Sequence, residues 1–324
     1  MSKPQTRVVI LDAATYGDTP LTAFTDTWNC TVHQVTDATQ TSARLVGHTI
    51  AVTNKVVINE HLLDAPEARD LKLIAVAATG TDIIDKEAAA KRGVQVSNVP
   101  GYASQSVAQF TLALILALAT RAGSYAAAVK AGEWQNSPVF TILTYPNIEL
   151  AGKKLGIIGF GNIGRTVARM ARGFGMEILI GARPGDLKPS ADRVPLAELF
   201  RQADFISLHC PLTAETKNLI NPKSLAWMKP SAFLINTARG ALIDEPALTA
   251  ALRTKSIAGA ALDVITQEPP TAAHPIIVAA RELDNLIVTP HTAWSAREAR
   301  RRLLEEVKEN IAAFLQGRER NRVA

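Results

Sequence analysis

Six residues, Gly159-Phe160-Gly161-Asn162-Ile163-Gly164, constrain this chain more than any others. The apolar run Lys154-Leu155-Gly156-Ile157-Ile158 precedes them, and a helix-like segment, Arg165-Thr166-Val167-Ala168-Arg169-Met170, follows. Strand, glycine turn and helix in that order is the setting in which G-x-G-x-x-G holds a dinucleotide pyrophosphate. Gly159 permits the tight turn, Gly161 lets the pyrophosphate approach the backbone, and Gly164 lets helix and strand pack closely. N–H groups at the helix start, at Asn162 and Ile163, then face the phosphates with the positive end of the helix dipole. An ordinary glycine-rich turn shares the pattern; the flanking strand and helix select the nucleotide site.

At 324 residues the chain has room for two domains. With 47% hydrophobic and 20% charged residues, and no low-complexity tract, it reads as soluble and globular. Cys30 and Cys210 have no paired spacing. This predicts a reducing, cytoplasmic compartment and argues against a disulfide framework or a zinc site. The first six residues, Met1 to Thr6, hold no apolar signal core, so export is not expected. The longest apolar run, Phe110 to Ala119, is ten residues, too short to span a bilayer, and reads as a buried helix. The net charge of +5 raises the question of nucleic acid. Residues 296–324, however, hold eight Lys+Arg and five Asp+Glu, so 8 − 5 = +3 of that charge lies there, interleaved as on a solvated helix. No nucleic-acid partner is expected, and a mild positive field would gather small anionic substrates.

Strand-like and helix-like segments alternate along the first hundred residues, with strands at 8–11, 50–53, 73–77 and 94–97. Continuous apolar strands separated by helices indicate a parallel sheet covered on both faces. After the third comes Ala77-Ala78-Thr79-Gly80-Thr81-Asp82. Two readings stay open there: a ligand loop with exposed N–H groups, or a plain turn in which Thr81 or Asp82 caps a helix. One long helix is predicted over about 104–131. The glycine turn opens a second series, with strands at 154–159, 177–181, 204–209, 232–236, 258–263 and 286–289. The predicted fold is α/β, with two doubly wound parallel-sheet domains. A Rossmann dinucleotide-binding domain (103–295) is inserted in a flavodoxin-like substrate domain (1–102 and 296–324), and the two crossings predict a closing cleft.

Three strand ends of the second series carry chemistry. Arg239 follows Asn236-Thr237-Ala238, Glu268 follows Asp263-Val264-Ile265-Thr266-Gln267, and His291 follows Thr289-Pro290. Each has a bland alternative: a surface cation, a turn cap, a structural histidine. Placed together at the edge that carries the glycine turn, they fit a single task. An arginine fork suits a carboxylate. Histidine exchanges protons near neutrality, and a glutamate on its other nitrogen fixes the tautomer and stabilises the imidazolium. That is a toolkit for a 2-oxo or 2-hydroxy acid beside a nicotinamide.

The chain also resembles the D-isomer-specific 2-hydroxyacid dehydrogenase family over nearly its full length. The matching pieces are Ala78-Thr79-Gly80-Thr81-Asp82, Gly159-x-Gly161-x-x-Gly164, His209-Cys210-Pro211-Leu212-Thr213, Asn236-Thr237-Ala238-Arg239-Gly240, Asp263-Val264-x-x-x-Glu268-Pro269 and Pro290-His291-Thr292-Ala293. Thr53-Asn54-Lys55-Val56 and Asn98-Val99-Pro100-Gly101-Tyr102 resemble glycerate dehydrogenase and hydroxypyruvate reductase members. The resemblance implies that Arg239 grips the substrate carboxylate, that His291 exchanges the proton at the carbonyl oxygen, and that Glu268 hydrogen-bonds His291. It assigns Ala78, Thr79 and Gly80 to substrate binding. Asp263 and the backbone of Thr237 to Arg239, Ala238 included, fall at the nicotinamide end, with Cys210, Pro211 and Thr216 along the cofactor groove. It also implies a homodimer.

One position departs from the pattern. NAD-preferring members end the second nucleotide strand on an acidic residue that binds the ribose 2′-OH. Here Ala182 stands at that position and Arg183 follows, which predicts NADP(H) over NAD(H), although Asp186 lies nearby. The expected substrate is a small 2-oxo acid such as hydroxypyruvate or glyoxylate, or the corresponding D-glycerate-type 2-hydroxy acid. The rivals are a 3-phosphoglycerate dehydrogenase and a nucleotide-sensing corepressor on the same fold.

Overall fold

The computed structural model describes residues 6–186 and 190–324. They divide into two compact units, 1–103 with 295–324 and 104–294. Each is built on one all-parallel sheet.

The first sheet comprises β1 (Arg7–Ile10), β2 (Asn29–Val32), β3 (Ile50–Thr53), β4 (Leu73–Val76) and β5 (Gln95–Ser97), in the order β2-β1-β3-β4-β5. This is the flavodoxin-like order. β3 and β4 are buried along their whole length, as strands covered on both faces must be. β2 is an addition to the sequence reading. Its Asn-Cys-Thr-Val side chains are exposed or half-buried at the sheet edge, so it lacks the continuous apolar signature of the inner strands. The helix Arg297–Leu315 packs on β4, and the C-terminal residues pair with β5, where Val323 N–H donates to Val96 O at 2.8 Å. The tail thereby covers a strand edge that would otherwise present free backbone groups.

The second sheet holds β6 (Lys154–Ile158), β7 (Glu177–Ile180), β8 (Phe205–Leu208), β9 (Phe233–Asn236), β10 (Gly259–Leu262) and β11 (Leu286–Val288), ordered β11-β10-β9-β8-β6-β7. A parallel bridge from Gly181 to Val194 extends the sheet beyond β7. Numbered along this unit, the strands then run 3-2-1-4-5-6 with one more at the far side, the Rossmann order. The winding reverses between β6 and β8, and such a switch point is where a ligand crevice opens beyond the strand ends.

The single long helix predicted over 104–131 is two helices, Ser104–Thr120 and Ala122–Lys130, bent by 61°. Arg121 adopts φ = +55° at the break. Thr120 bonds back to Leu116 O, and the Arg121 guanidinium donates to Asp284 O, which fixes the corner. The first of the two helices is buried against β9, β10 and the helix Asn162–Arg172. Among the described residues no single helix is long and apolar enough to cross a membrane.

Candidate active site

The glycine turn leaves β6 at the switch point, and its three glycines differ physically. Gly159 has φ = +95°, and a Cβ there would lie 2.4 Å from His209 C and Cys210 N, the residues that leave β8. A Cβ on Gly164 would meet Gly159 O at 2.2 Å, so the helix presses directly on the turn. Around Gly161 none of the described residues beyond its chain neighbours lies within 4 Å of the Cβ position, and none of their side chains caps the helix Asn162–Arg172 that it opens. Two glycines therefore serve the packing, and the third leaves the uncapped N–H groups approachable by an anion. These residues fit a dinucleotide pyrophosphate.

The neighbouring β8 end abuts the turn at Gly159. Cys210 is buried in the core, and burial pushes its thiol up to about 11, so it is no nucleophile at neutral pH. Burial likewise pushes the His209 imidazole down to about 3, which keeps it neutral with Nε2 2.8 Å from Ser207 Oγ. Thr216 folds the next turn by donating to Pro211 O and accepting from Thr213 N–H.

β9, β10 and β11 deliver the three chemical side chains, and a chain of bonds ties their loops together. The fully buried Asn236 amide donates to Arg239 O at 2.8 Å and accepts from Ala238 N–H at 3.0 Å, which shapes the turn that presents Arg239. Thr237 is held from behind, its hydroxyl 3.1 Å from that of Thr111. Gly240 follows with no room for a side chain, since a Cβ would sit 2.0 Å from Ile265 C and 2.5 Å from Thr266 N. The turns after β9 and β10 are thus in backbone contact.

Glu268 uses both oxygens. Oε1 accepts Ile265 N–H at 2.9 Å, and Oε2 lies 2.6 Å from His291 Nδ1. The turn-capping and histidine-orienting readings of Glu268 are therefore both true of the same carboxylate. With Nδ1 engaged, Nε2 is the nitrogen of His291 left to meet a ligand. His291 itself sits at φ = +51°, a left-handed conformation that costs a non-glycine residue about 1–2 kcal/mol. Asp263 holds it there. Its backbone O accepts His291 N–H at 2.8 Å, and its buried carboxylate accepts Thr289 Oγ1–H, Thr292 N–H and Ala293 N–H at 2.6–3.0 Å. The Asp263 side chain is thus turned toward the histidine loop. Trp294 Nε1 closes that loop by donating to His291 O at 3.0 Å.

In the first unit, the turn after β4 is bolted to the strand end at 98–99. Thr79 Oγ1 donates to Val99 O at 2.8 Å, and Asn98 Nδ2 donates to Thr79 O at 2.7 Å. The next helix begins only at Lys86, capped by Asp85, so the turn with Thr81 or Asp82 as a helix cap is not what forms. The N–H groups of Thr79 and Gly80 have no partner among the described residues. At the end of β3, the buried Asp12 carboxylate accepts Asn54 N–H and Lys55 N–H, and burial raises its pKa against those bonds.

A glycine turn at a switch point, with an arginine and a glutamate–histidine pair at neighbouring strand ends, defines a dinucleotide-dependent oxidoreductase. Residues 112–293 match the family described as D-isomer specific 2-hydroxyacid dehydrogenase, NAD binding domain. Glycerate dehydrogenase of Methylorubrum extorquens is 44% identical over 278 residues, which cover 86% of this chain and 86% of the relative. Hydroxypyruvate reductase of Blautia hydrogenotrophica is 33% identical, over 96% of this chain and 97% of the relative. The solved structure of an acyclic imino acid reductase in complex with NADPH and D-Arg matches with a TM-score of 0.83 at 29% identity, covering 98% of this chain and all of that one. This chain belongs to the D-isomer specific 2-hydroxyacid dehydrogenase family.

Proposed function

We propose that the protein reduces a small 2-oxo acid of the hydroxypyruvate or glyoxylate type to its D-2-hydroxy acid, with NADP(H) preferred over NAD(H). The observation that carries the reaction is the 2.6 Å contact of Glu268 Oε2 with His291 Nδ1, one backbone contact away from the Arg239 turn. Arg239 grips the substrate carboxylate. His291 gives its Nε2 proton to the carbonyl oxygen in reduction, leaving a neutral imidazole, and takes the proton back in oxidation, while Glu268 engages Nδ1 and so leaves Nε2 for the substrate. When bound, the nicotinamide supplies the hydride from its C4. The relatives named glycerate dehydrogenase and hydroxypyruvate reductase support this substrate class. Assays of D-glycerate, D-lactate and 3-phosphoglycerate oxidation test it. Turnover of D-glycerate above the other two is expected; preference for the phosphorylated acid would favour the 3-phosphoglycerate dehydrogenase reading, and no turnover of any of them the corepressor one.

The cofactor preference rests on the end of β7. Ala182 there is buried and offers no carboxylate to repel a 2′-phosphate, and Arg183 beside it is exposed. Arg165 and Arg193 add cations at the same corner, their guanidinium carbons 5.6 and 5.4 Å from the Phe160 ring centre. The imino acid reductase of the same fold binds NADPH. Arg183→Ala is expected to lower kcat/KM for NADPH about tenfold or more, the loss of a charged hydrogen bond, with NADH little affected. A wild-type preference for NADH would overturn the assignment.

A homodimer is proposed from a cluster of exposed apolar side chains, in which Phe140 is 91% and Leu143 79% exposed, beside Trp134 and Val139. A monomer would leave this patch in water. Light scattering should give twice the 34.7 kDa chain mass for the wild type and the single mass for Phe140→Asp/Leu143→Asp; a monomeric wild type would refute it. The two free cysteines suit a cytoplasmic setting.

A further inference from the structure

Behind the Glu268–His291 pair lies a second glutamate–histidine pair that does not face the reaction. Glu245 opens the helix Glu245–Arg253, one residue after the Asp244 cap, and its side chain is 8% exposed. A carboxylate so deeply buried must be compensated, and this one is. Oε1 accepts Thr266 N–H at 2.7 Å, Oε2 accepts the Thr266 hydroxyl at 2.9 Å, and His274 Nε2 lies 3.6 Å from Oε2. The helix cap at 244 is made by Asp244 alone, so Glu245 is spare for that purpose.

What Glu245 holds is the turn that carries Glu268. Thr266 adjoins Ile265, whose N–H donates to Glu268 Oε1, and the same two residues press against the Cα of Gly240 beside Arg239. Thr266 is otherwise an exposed loop residue, and Gln267 and Glu268 after it are exposed as well. Ile265 is placed by its own burial in the core and by the contact with Gly240, and beyond it Thr266 is held by the Glu245 carboxylate through both its N–H and its hydroxyl. Glu268 lies two residues beyond Thr266, between that anchor and the Ile265 N–H that its Oε1 accepts.

We infer that Glu245, backed by His274, is a positioning residue: through Thr266 it sets the turn that aligns Glu268 with His291 Nδ1. The inference rests on the proposed reaction for its kinetic consequence but not for its structural one. The geometry of a hydrogen-bonded pair is sensitive to displacement, and a shift of about 1 Å at a reacting group costs up to about 100-fold in rate.

Two readouts test it. In reduction assays, Glu245→Ala is expected to lower kcat about 10- to 100-fold while KM for the 2-oxo acid and for the nucleotide stay within about twofold. Glu245→Gln keeps an acceptor for Thr266 N–H and should restore kcat to within about threefold of wild type; Thr266→Val, which keeps the N–H but removes the hydroxyl, should lose kcat severalfold. In the unliganded protein, the proton between His291 Nδ1 and Glu268 Oε2, 2.6 Å apart, is expected to give a far-downfield NMR resonance. That resonance should persist in Glu245→Gln and vanish or move upfield in Glu245→Ala. A lowered melting temperature with kcat per folded enzyme and the resonance both unchanged would overturn the inference and leave Glu245 a stability residue. If Glu245→Ala does not fold, Thr266→Val decides, and wild-type kcat in that variant overturns it. Absence of turnover in the wild type would refute the reaction, while the resonance would still report on Glu245.

Discussion

Replacing His291 with asparagine is expected to lower kcat for 2-oxo acid reduction about 100- to 10,000-fold, the range lost with a positioned general acid. Asparagine is the informative replacement because it tolerates the left-handed backbone at φ = +51° that this residue occupies. The loop itself is held by Asp263 and Trp294 through backbone groups of residues 291 to 293, so it should stand when the ring is removed. The melting temperature and the nucleotide dissociation constant should therefore change little, and the loss should fall on kcat. Steady-state kinetics with fluorescence titration of the nucleotide measure both. Retention of more than about a tenth of wild-type kcat would show that a group other than His291 supplies the proton.

The second large effect concerns Arg239→Lys. The charge is kept, but the planar fork that matches a carboxylate is lost, and a compact ammonium cannot make both bonds. A charged hydrogen bond contributes about 1.5–3 kcal/mol, which converts to a loss of kcat/KM of roughly 10- to 150-fold. The turn is shaped by Asn236 through backbone groups of Ala238 and Arg239, so the substitution should not disturb its path. Nucleotide binding should be unchanged. An equal loss for an aldehyde lacking the carboxylate would show that Arg239 acts on something other than that group.

Much of this site was legible in the chain because its chemistry sits at strand ends, where local sequence patterns are strongest. The apolar strands β6, β8, β9, β10 and β11 announce their own ends, and Arg239, Glu268 and His291 follow the ends of β9, β10 and β11. The less legible parts share a physical cause. β2 is an edge strand with half-exposed polar residues, so it carries no buried pattern. The break at Arg121 depends on a carbonyl at Asp284, which local helix propensity does not register. Glu245 follows an ordinary helix cap, and only contact with a loop 21 residues away gives it a role. Asn236 stood in a recognised motif, but its bonds across the Arg239 turn emerge only from the folded backbone.

The sequence by itself determined the class of fold and the glycine turn and singled out the three candidate side chains, because strand period, turn glycines and strand-end placement are local properties. The tertiary structure alone decided how those groups are aimed. It turned Asp263 toward the histidine loop, joined Glu268 to His291 at 2.6 Å and pressed Gly240 onto residues 265 and 266. Each of these contacts joins residues on different strand ends, and their distances follow from strand order and register, which hydrogen bonding between distant segments sets. The glycine turn thus declares a dinucleotide from its own six residues, whereas the Glu268–His291 pair and its contact with the Arg239 turn take shape only when β9, β10 and β11 lie side by side.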